Sequence, residues 1–423
     1  MSAITLTDFE LTRVFFAIIL LIASAHSLGY LFQRLLGAPK VIGEIVGGLV
    51  LGPTILGFFF PSAYQWIFHA FGSEGQLIAI IYWIGLVLLM FISGFEIQKS
   101  VSREDKKLIA AILIGATSVS FLVGWFTPHF YDFTPYLGVN GNMLSLTIII
   151  AIAIAVTSIP VISRVFIDLG IINTRFAKIV LATATIEDVI LWVALAVATG
   201  LAGGELLSTS NILSKVFITL VFFAIALFAM PKLFELVNKS RFNFFIRSSA
   251  TGYVLFVCFL FAATASILSV NIIIGAFLAG LVVGITPDKK IAKVKVHIKE
   301  IGLGFFIPIY FAVVGLKLDL IHHFDILFFL GFLLFAILVK TLGTVIAARL
   351  ARQDWLSSFN FGVAMNTRGG PGIVLATVAF ELGIINETFF AVLVLIAIVT
   401  SLAAGYWFRF VLSKGWDLLS DPA

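Results

Sequence analysis

Apolar runs of roughly 20 residues recur along almost the whole chain, and that length settles its solvent before anything else. Each run is long enough to cross the hydrocarbon of a bilayer as a helix; a barrel strand needs only about 10 residues, in alternation. About thirteen spans can be placed, near 10–32, 41–60, 76–95, 107–127, 144–164, 177–200, 211–231, 248–268, 271–286, 301–317, 325–350, 358–380 and 388–412. Composition agrees: 61% of residues are hydrophobic and 12% charged, where a soluble domain carries about 25% charged residues. The expected fold class is an all-α membrane protein with about 13 transmembrane helices. Cys258, the single cysteine, excludes an internal disulfide and lies in an apolar run. No cleavable signal peptide and no soluble regulatory domain are expected, because the first apolar run lacks a basic start and the ends are short.

The net charge of +5 is no argument for a nucleic-acid partner, because the basic residues sit in short loops and report topology. About 22 of the 27 Lys and Arg fall on one side if the N-terminus is outside. They include Lys99, Arg103, Lys106 and Lys107, then Lys232, Lys239, Arg241 and Arg247, then Lys289, Lys290, Lys293, Lys295 and Lys299. Arg13, Lys215 and Lys317 fall on the other side, and Lys340 and Arg368 fit no loop. The expected topology is N-terminus outside, C-terminus cytoplasmic.

The chain also repeats itself. IGEIVGGLVLG (Ile42–Gly52) matches IGAFLAGLVVG (Ile274–Gly284), and FISGFEI (Phe91–Ile97) matches FAVVGLKL (Phe311–Leu318), each with a glycine before the exit. The span at 144–164 is interrupted at Thr157, Ser158, Ile159 and Pro160; that at 358–380 is interrupted at Arg368, Gly369, Gly370, Pro371 and Gly372. Each pair lies seven spans apart. An odd offset reverses the direction of crossing, so the pattern predicts inverted-topology repeats with two interrupted helices meeting at the binding site. The expected organisation is one membrane transporter domain over 1–423: a first repeat over about 10–200, a linking helix near 211–231, and a second, inverted repeat over about 248–412.

Chemistry is confined to a few residues. Glu187 and Asp188 lie within LATATIEDVILWVAL (Leu181–Leu195), where a carboxylate needs a partner or a water-filled cavity. They point about 100° apart on a helix, so one can face a cavity and the other a partner. Lys340 lies mid-span, too far from either end to snorkel, and is the expected partner of Glu187 or Asp188. Arg368 sits at the second break, where its charge can balance half-helix carbonyl ends or another acid. Thr157 and Ser158 stand where the first break frees backbone groups. Glu44 is expected at the membrane interface, His26 as a hydrogen-bonded packing residue, and Glu96, Asp168, Asp319 and Glu381 as solvated span ends. No His/Cys cluster of metal-site type is present in the sequence, and the glycine-rich runs lack the Lys-Ser/Thr of a phosphate loop.

The motifs VIGEIVGGLVLGP (Val41–Pro53), FISGFEI, TSIPVISRVFIDLGII (Thr157–Ile172), ATIEDV (Ala184–Val189), FAVVGLKLDL and MNTRGG (Met365–Gly370), in this order, resemble the second superfamily of monovalent cation:proton antiporters. These are sodium/proton antiporters and potassium-efflux transporters. The resemblance implies a secondary active antiporter, not an enzyme, exchanging Na⁺ or K⁺ for protons by alternating access. It implies two interrupted helices crossing beside a carboxylate that matches Asp188, which binds cation and proton in turn. Many relatives have Asp or Asn where this chain has Glu187, and Lys340 matches the lysine that pairs with the acids. Thr157, Glu187 and backbone carbonyls would complete an oxygen shell for the cation. A core domain rocking against a dimerising domain, a homodimer in lipid in the bacterial inner membrane, and no cofactor beyond the transported ions are further implications. A second reading stays open: a sodium-coupled symporter of an organic anion, with Arg368 holding the substrate carboxylate.

Overall fold

The computed structural model describes residues 7–68, 72–96, 105–202, 209–240, 243–268, 270–286 and 289–420, and these are almost wholly helical. Lys99, Arg103 and Arg241 lie outside them. The main helices are α1 (Asp8–Leu36), α2 (Lys40–Leu51), α3 (Gly72–Glu96), α4 (Lys106–His129), α5 (Met143–Ala155), α6 (Ile159–Asp168), α7 (Arg175–Leu201) and α8 (Phe217–Lys239). They continue as α9 (Ala250–Ile267), α10 (Ile272–Ile285), α11 (Ile291–Leu316), α12 (Ile326–Leu350), α13 (Trp355–Met365), α14 (Gly369–Glu381) and α15 (Glu387–Ser413).

Among the described residues, eleven helical spans are long and apolar enough to cross a membrane, not the expected thirteen. The two departures have local causes. α10 has 14 residues, because Asn271 caps it at one end, its side chain accepting the Ile273 N–H at 2.9 Å, and the chain leaves the helix at Thr286 at the other. The span expected at 358–380 is two helices, α13 and α14, parted at Asn366–Arg368. The lysine-rich stretch expected as a loop is also helical, over Lys289–Ile301, and runs on into α11. Ile291, Val294 and Ile298 recur at helical spacing there and bury one face.

The chain divides into two compact units, each drawing one stretch from either half of the chain. Unit 1 comprises Met1–Ile97 and Phe222–His322; unit 2 comprises Gln98–Val221 and His323–Ala423.

Unit 1 is packed through glycine. A side chain at Gly48 of α2 would strike the Ala312 carbonyl of α11, and one at Gly315 of α11 the Ile45 carbonyl of α2. The glycines that match these in the sequence do the same on α10 and α3: Gly280 meets the Phe91 carbonyl, and Gly94 the Phe277 carbonyl. Only glycine lets helix backbones come this close. This packing also buries Glu44, which is 7% exposed rather than interfacial, its Cγ 3.3 Å from the place a Gly29 side chain would take. His26 Nε2 lies 3.0 Å from the Gly304 carbonyl, as a packing histidine should. Arg13, expected in an outer loop, is buried on α1 with its guanidinium 4.9 Å from the Trp66 ring centre.

Candidate functional site

Every residue singled out for ion chemistry lies in unit 2. The site is built where two broken helices cross. α5 ends at Ala155 and Val156 turns extended, leaving the carbonyls of its last turn without helical partners. Ser158 then caps α6, its Oγ accepting the Val161 N–H at 3.4 Å, and Pro160 falls in the first turn of α6. A proline costs little there, since that N–H has no helical acceptor anyway. The second crossing helix follows the same plan: α13 stops at Met365, Asn366–Arg368 form the link, and Gly369, Gly370 and Pro371 make the first turn of α14. Of the expected break residues, Thr157, Ser158 and Arg368 lie in the links, while Ile159, Pro160, Gly369, Gly370, Pro371 and Gly372 open the helices that follow.

The two links hold one another. The Ser158 N–H donates to the Thr367 carbonyl at 2.5 Å, and Thr157 Oγ1 donates to the Met365 carbonyl at 2.7 Å. Gly369 has a positive φ of 33°, and a side chain on it would run into Val161 and Ser158. Glycine is needed there both for the backbone angle and for the close crossing.

Two buried cations meet the open end of α5. Arg368 Nε donates to the Ala153 carbonyl at 3.0 Å, and Nη2 to the carbonyls of Ile154 at 3.2 Å and Ala336 at 2.9 Å. Its Nη1 donates to Asn366 Oδ1 at 2.9 Å and to the Asn366 carbonyl at 3.3 Å. These account for all of the guanidinium's N–H groups. Arg368 thus balances a half-helix end, and among the described residues it forms no ion pair with an acid. Lys340, fully buried on α12, donates to the Ala155 carbonyl, to Thr157 Oγ1 at 2.6 Å and to Glu187 Oε1 at 3.2 Å. The negative end of the α5 dipole is met by both charges.

The acids part company, as their angular offset on α7 allows. Glu187, fully buried, takes the ion pair with Lys340, and its other oxygen accepts from Thr117 Oγ1 at 2.6 Å. Asp188 is 4% exposed and makes no hydrogen bond or ion pair among the described residues. Thr157 and Glu187 are both engaged with Lys340 in this structure. Thr117 was not foreseen. A hydroxyl in an apolar helix ordinarily bonds to its own backbone, so nothing in the sequence sets this one apart.

The chain matches the family model described as sodium/hydrogen exchanger, transmembrane, over residues 18–414. It belongs to that family. It is 32% identical to the K⁺/H⁺ antiporter 1 of Saccharomyces cerevisiae over 375 residues, covering 86% of this chain and 42% of the yeast protein. The chain thus spans less than half the length of that relative. It is 26% identical over 398 residues to the Na⁺/H⁺-K⁺ antiporter GerN of Bacillus cereus, covering 92% of this chain and 93% of that protein. It is 26% identical over 409 residues to the Na⁺/H⁺ antiporter of Enterococcus hirae, covering 95% and 98%. Among solved structures, the sodium proton antiporter MjNhaP1 of Methanocaldococcus jannaschii shares its fold, with a TM-score of 0.67 at 15% identity over 96% of this chain and 99% of that one. This exchanger-family chain is a multi-pass integral membrane protein.

Proposed function

We propose that the chain exchanges a monovalent cation, Na⁺ or K⁺, for protons across the membrane by alternating access, with Asp188 binding cation and proton in turn. The observation that carries this is the division of labour on α7. Glu187 is ion-paired with Lys340 and accepts a hydrogen bond from Thr117, while Asp188 is buried with neither partner. A buried carboxylate without a partner is costly unless it takes up a proton or a cation, and either one relieves it. Loaded states are then favoured for movement and the empty one is not, which couples the two fluxes. Every residue of the site belongs to unit 2, so the site can move as one piece.

The relatives named as Na⁺/H⁺ and K⁺/H⁺ antiporters support the same reaction. The organic-anion reading loses its anchor, since Arg368 has no N–H left for a substrate carboxylate. We further assign inverted repeats, supported by the exchanged glycine contacts of α2 with α11 and of α10 with α3. Charge asymmetry of the loops supports an external N-terminus and a cytoplasmic C-terminus. A homodimer in lipid completes the reading.

The test is dye-monitored proton flux in proteoliposomes with an acidic interior, to which Na⁺, K⁺ or Li⁺ is added. Cation-triggered loss of the gradient is expected, and Asp188→Asn should abolish it in a protein that still folds. Exchange retained in that variant would sink the assignment.

A further inference from the structure

Thr117 has entered so far only as a hydrogen-bond donor to Glu187, yet its place is specified from three directions. It lies on α4 inside a π-helical segment, Ile114–Val119, which turns Thr117 inward (2% exposed) while Ile114 and Val119 face outward. Such segments, with one residue more per turn than an α-helix, often mark functional sites. Two residues before Thr117, Gly115 packs against the Gly343 carbonyl of α12, and Gly343 returns the contact on the Gly115 carbonyl. Gly343 is one helical turn from Lys340. The glycine crossing therefore brings the hydroxyl of Thr117 and the ammonium of Lys340 to the same carboxylate, one on each oxygen of Glu187.

We propose that Thr117 is a positioning residue of the exchange site: by fixing Glu187 on Lys340, it keeps that lysine away from Asp188 and leaves Asp188 to the transported cation. This rests on the antiport reading. A glutamate has one more rotatable bond than an aspartate and, held at one oxygen only, swings. Lys340 is paired with Glu187, whose neighbour along α7 is Asp188. Released from Glu187, it becomes a tethered cation competing for Asp188, and a competitor of this kind weakens cation binding without slowing the loaded carrier.

The experiment measures exchange rate against cation concentration for wild type, Thr117→Val, Thr117→Ser and Ser120→Ala. Ser120 is a fitting control: it lies one turn along α4, is fully buried and makes no hydrogen bond among the described residues. Thr117→Val should raise the apparent KM for the cation about tenfold, the factor a charge-assisted hydrogen bond is worth, with the maximal rate nearly unchanged. Thr117→Ser should restore the wild-type KM, and Ser120→Ala should leave it unmoved. An unchanged KM in Thr117→Val, or an equal rise in Ser120→Ala, overturns the inference. If Thr117→Val does not fold, Glu187→Asp decides, because the shorter arm cannot span Thr117 and Lys340 together; a wild-type KM there also overturns it. Thermal stabilisation by Na⁺ or K⁺ in detergent reads the same affinity without transport. A chain that binds the cation but does not exchange it, with the variants ranked as above, removes the antiport reading and leaves the role of Thr117 standing. Absence of both binding and exchange removes both.

Discussion

Units 1 and 2 face one problem, the backbone in a solvent that offers it no hydrogen bonds, and they solve it in opposite ways. In unit 1 the glycine-packed helices α2, α3, α10 and α11 keep their backbone bonds internal and press against one another. In unit 2 the crossing helices are broken, and the freed carbonyls of Ala153, Ile154 and Ala155 are met by cations from distant parts of the chain. The first solution is apolar and tolerates no extra volume. The second keeps permanent charge at the crossing, beside Glu187 and Asp188. Chemistry goes to the unit whose backbone is open.

The comparison breaks most sharply at Arg368. Arg368→Ala leaves two α5 carbonyls, the Ala336 carbonyl and Asn366 without their donor, at about 1–3 kcal/mol for each unmet group. A loss on the order of 4 kcal/mol or more is expected, with Arg368→Lys recovering only part, since an ammonium lacks the fork that reaches several carbonyls. A melting temperature close to wild type would mean that charge is not what holds the crossing. Unit 1 should respond to volume instead. Gly280→Val forces a side chain into the Phe91 carbonyl and should cost about 1–3 kcal/mol or more, while the surviving folded protein keeps its apparent cation affinity. A changed affinity would show that the glycine crossing of unit 1 also tunes the site.

The smallest effect is expected at the entrance to α13, outside the spans. Burial raises the Asp354 carboxyl, but hydrogen bonds from Ser357, Ser420 and Leu356 outweigh it and hold the group below the usual carboxylate range. The folded form therefore gains stability from ionised Asp354 above about pH 4, and loses it as the pH falls through the lowered value. Asp354→Ala should cost about 1 kcal/mol at neutral pH as a lost helix cap, and the gap in melting temperature should close in acid. A gap that persists at low pH would assign the effect to packing of Trp355 rather than to the cap.

Much of this was legible in the residues. Glu187, Asp188, Lys340 and Arg368 stand out because a charge within an apolar run demands an account, and all four prove buried in unit 2. The matched glycines, read in the sequence as the mark of a repeat, are also where α2 and α10 pack against their neighbours. The expected breaks overlap the links at Thr157, Ser158 and Arg368 and run on past them, because proline and glycine mark the first turn of the new helix rather than the link itself. Which acid would take Lys340 was beyond the sequence, since it depends on the rotation of α7, which its neighbours set. Thr117 was beyond it too, as its inward aim comes from a local change of helical pitch that leaves no mark in composition.

The capping of α5 also has a consequence in time. Lys340 follows the Ala155 carbonyl it serves by 185 residues, and Arg368 follows Ala153 by 215. At a synthesis rate of about 5–20 residues per second, that is a wait of roughly 10–40 s. Throughout it, the nascent chain holds an open helix end and two carboxylates before Lys340 and Arg368 exist to meet them. The first half of this protein must therefore either stay near water or remain sheltered by the insertion machinery until α12 and Arg368 have been made.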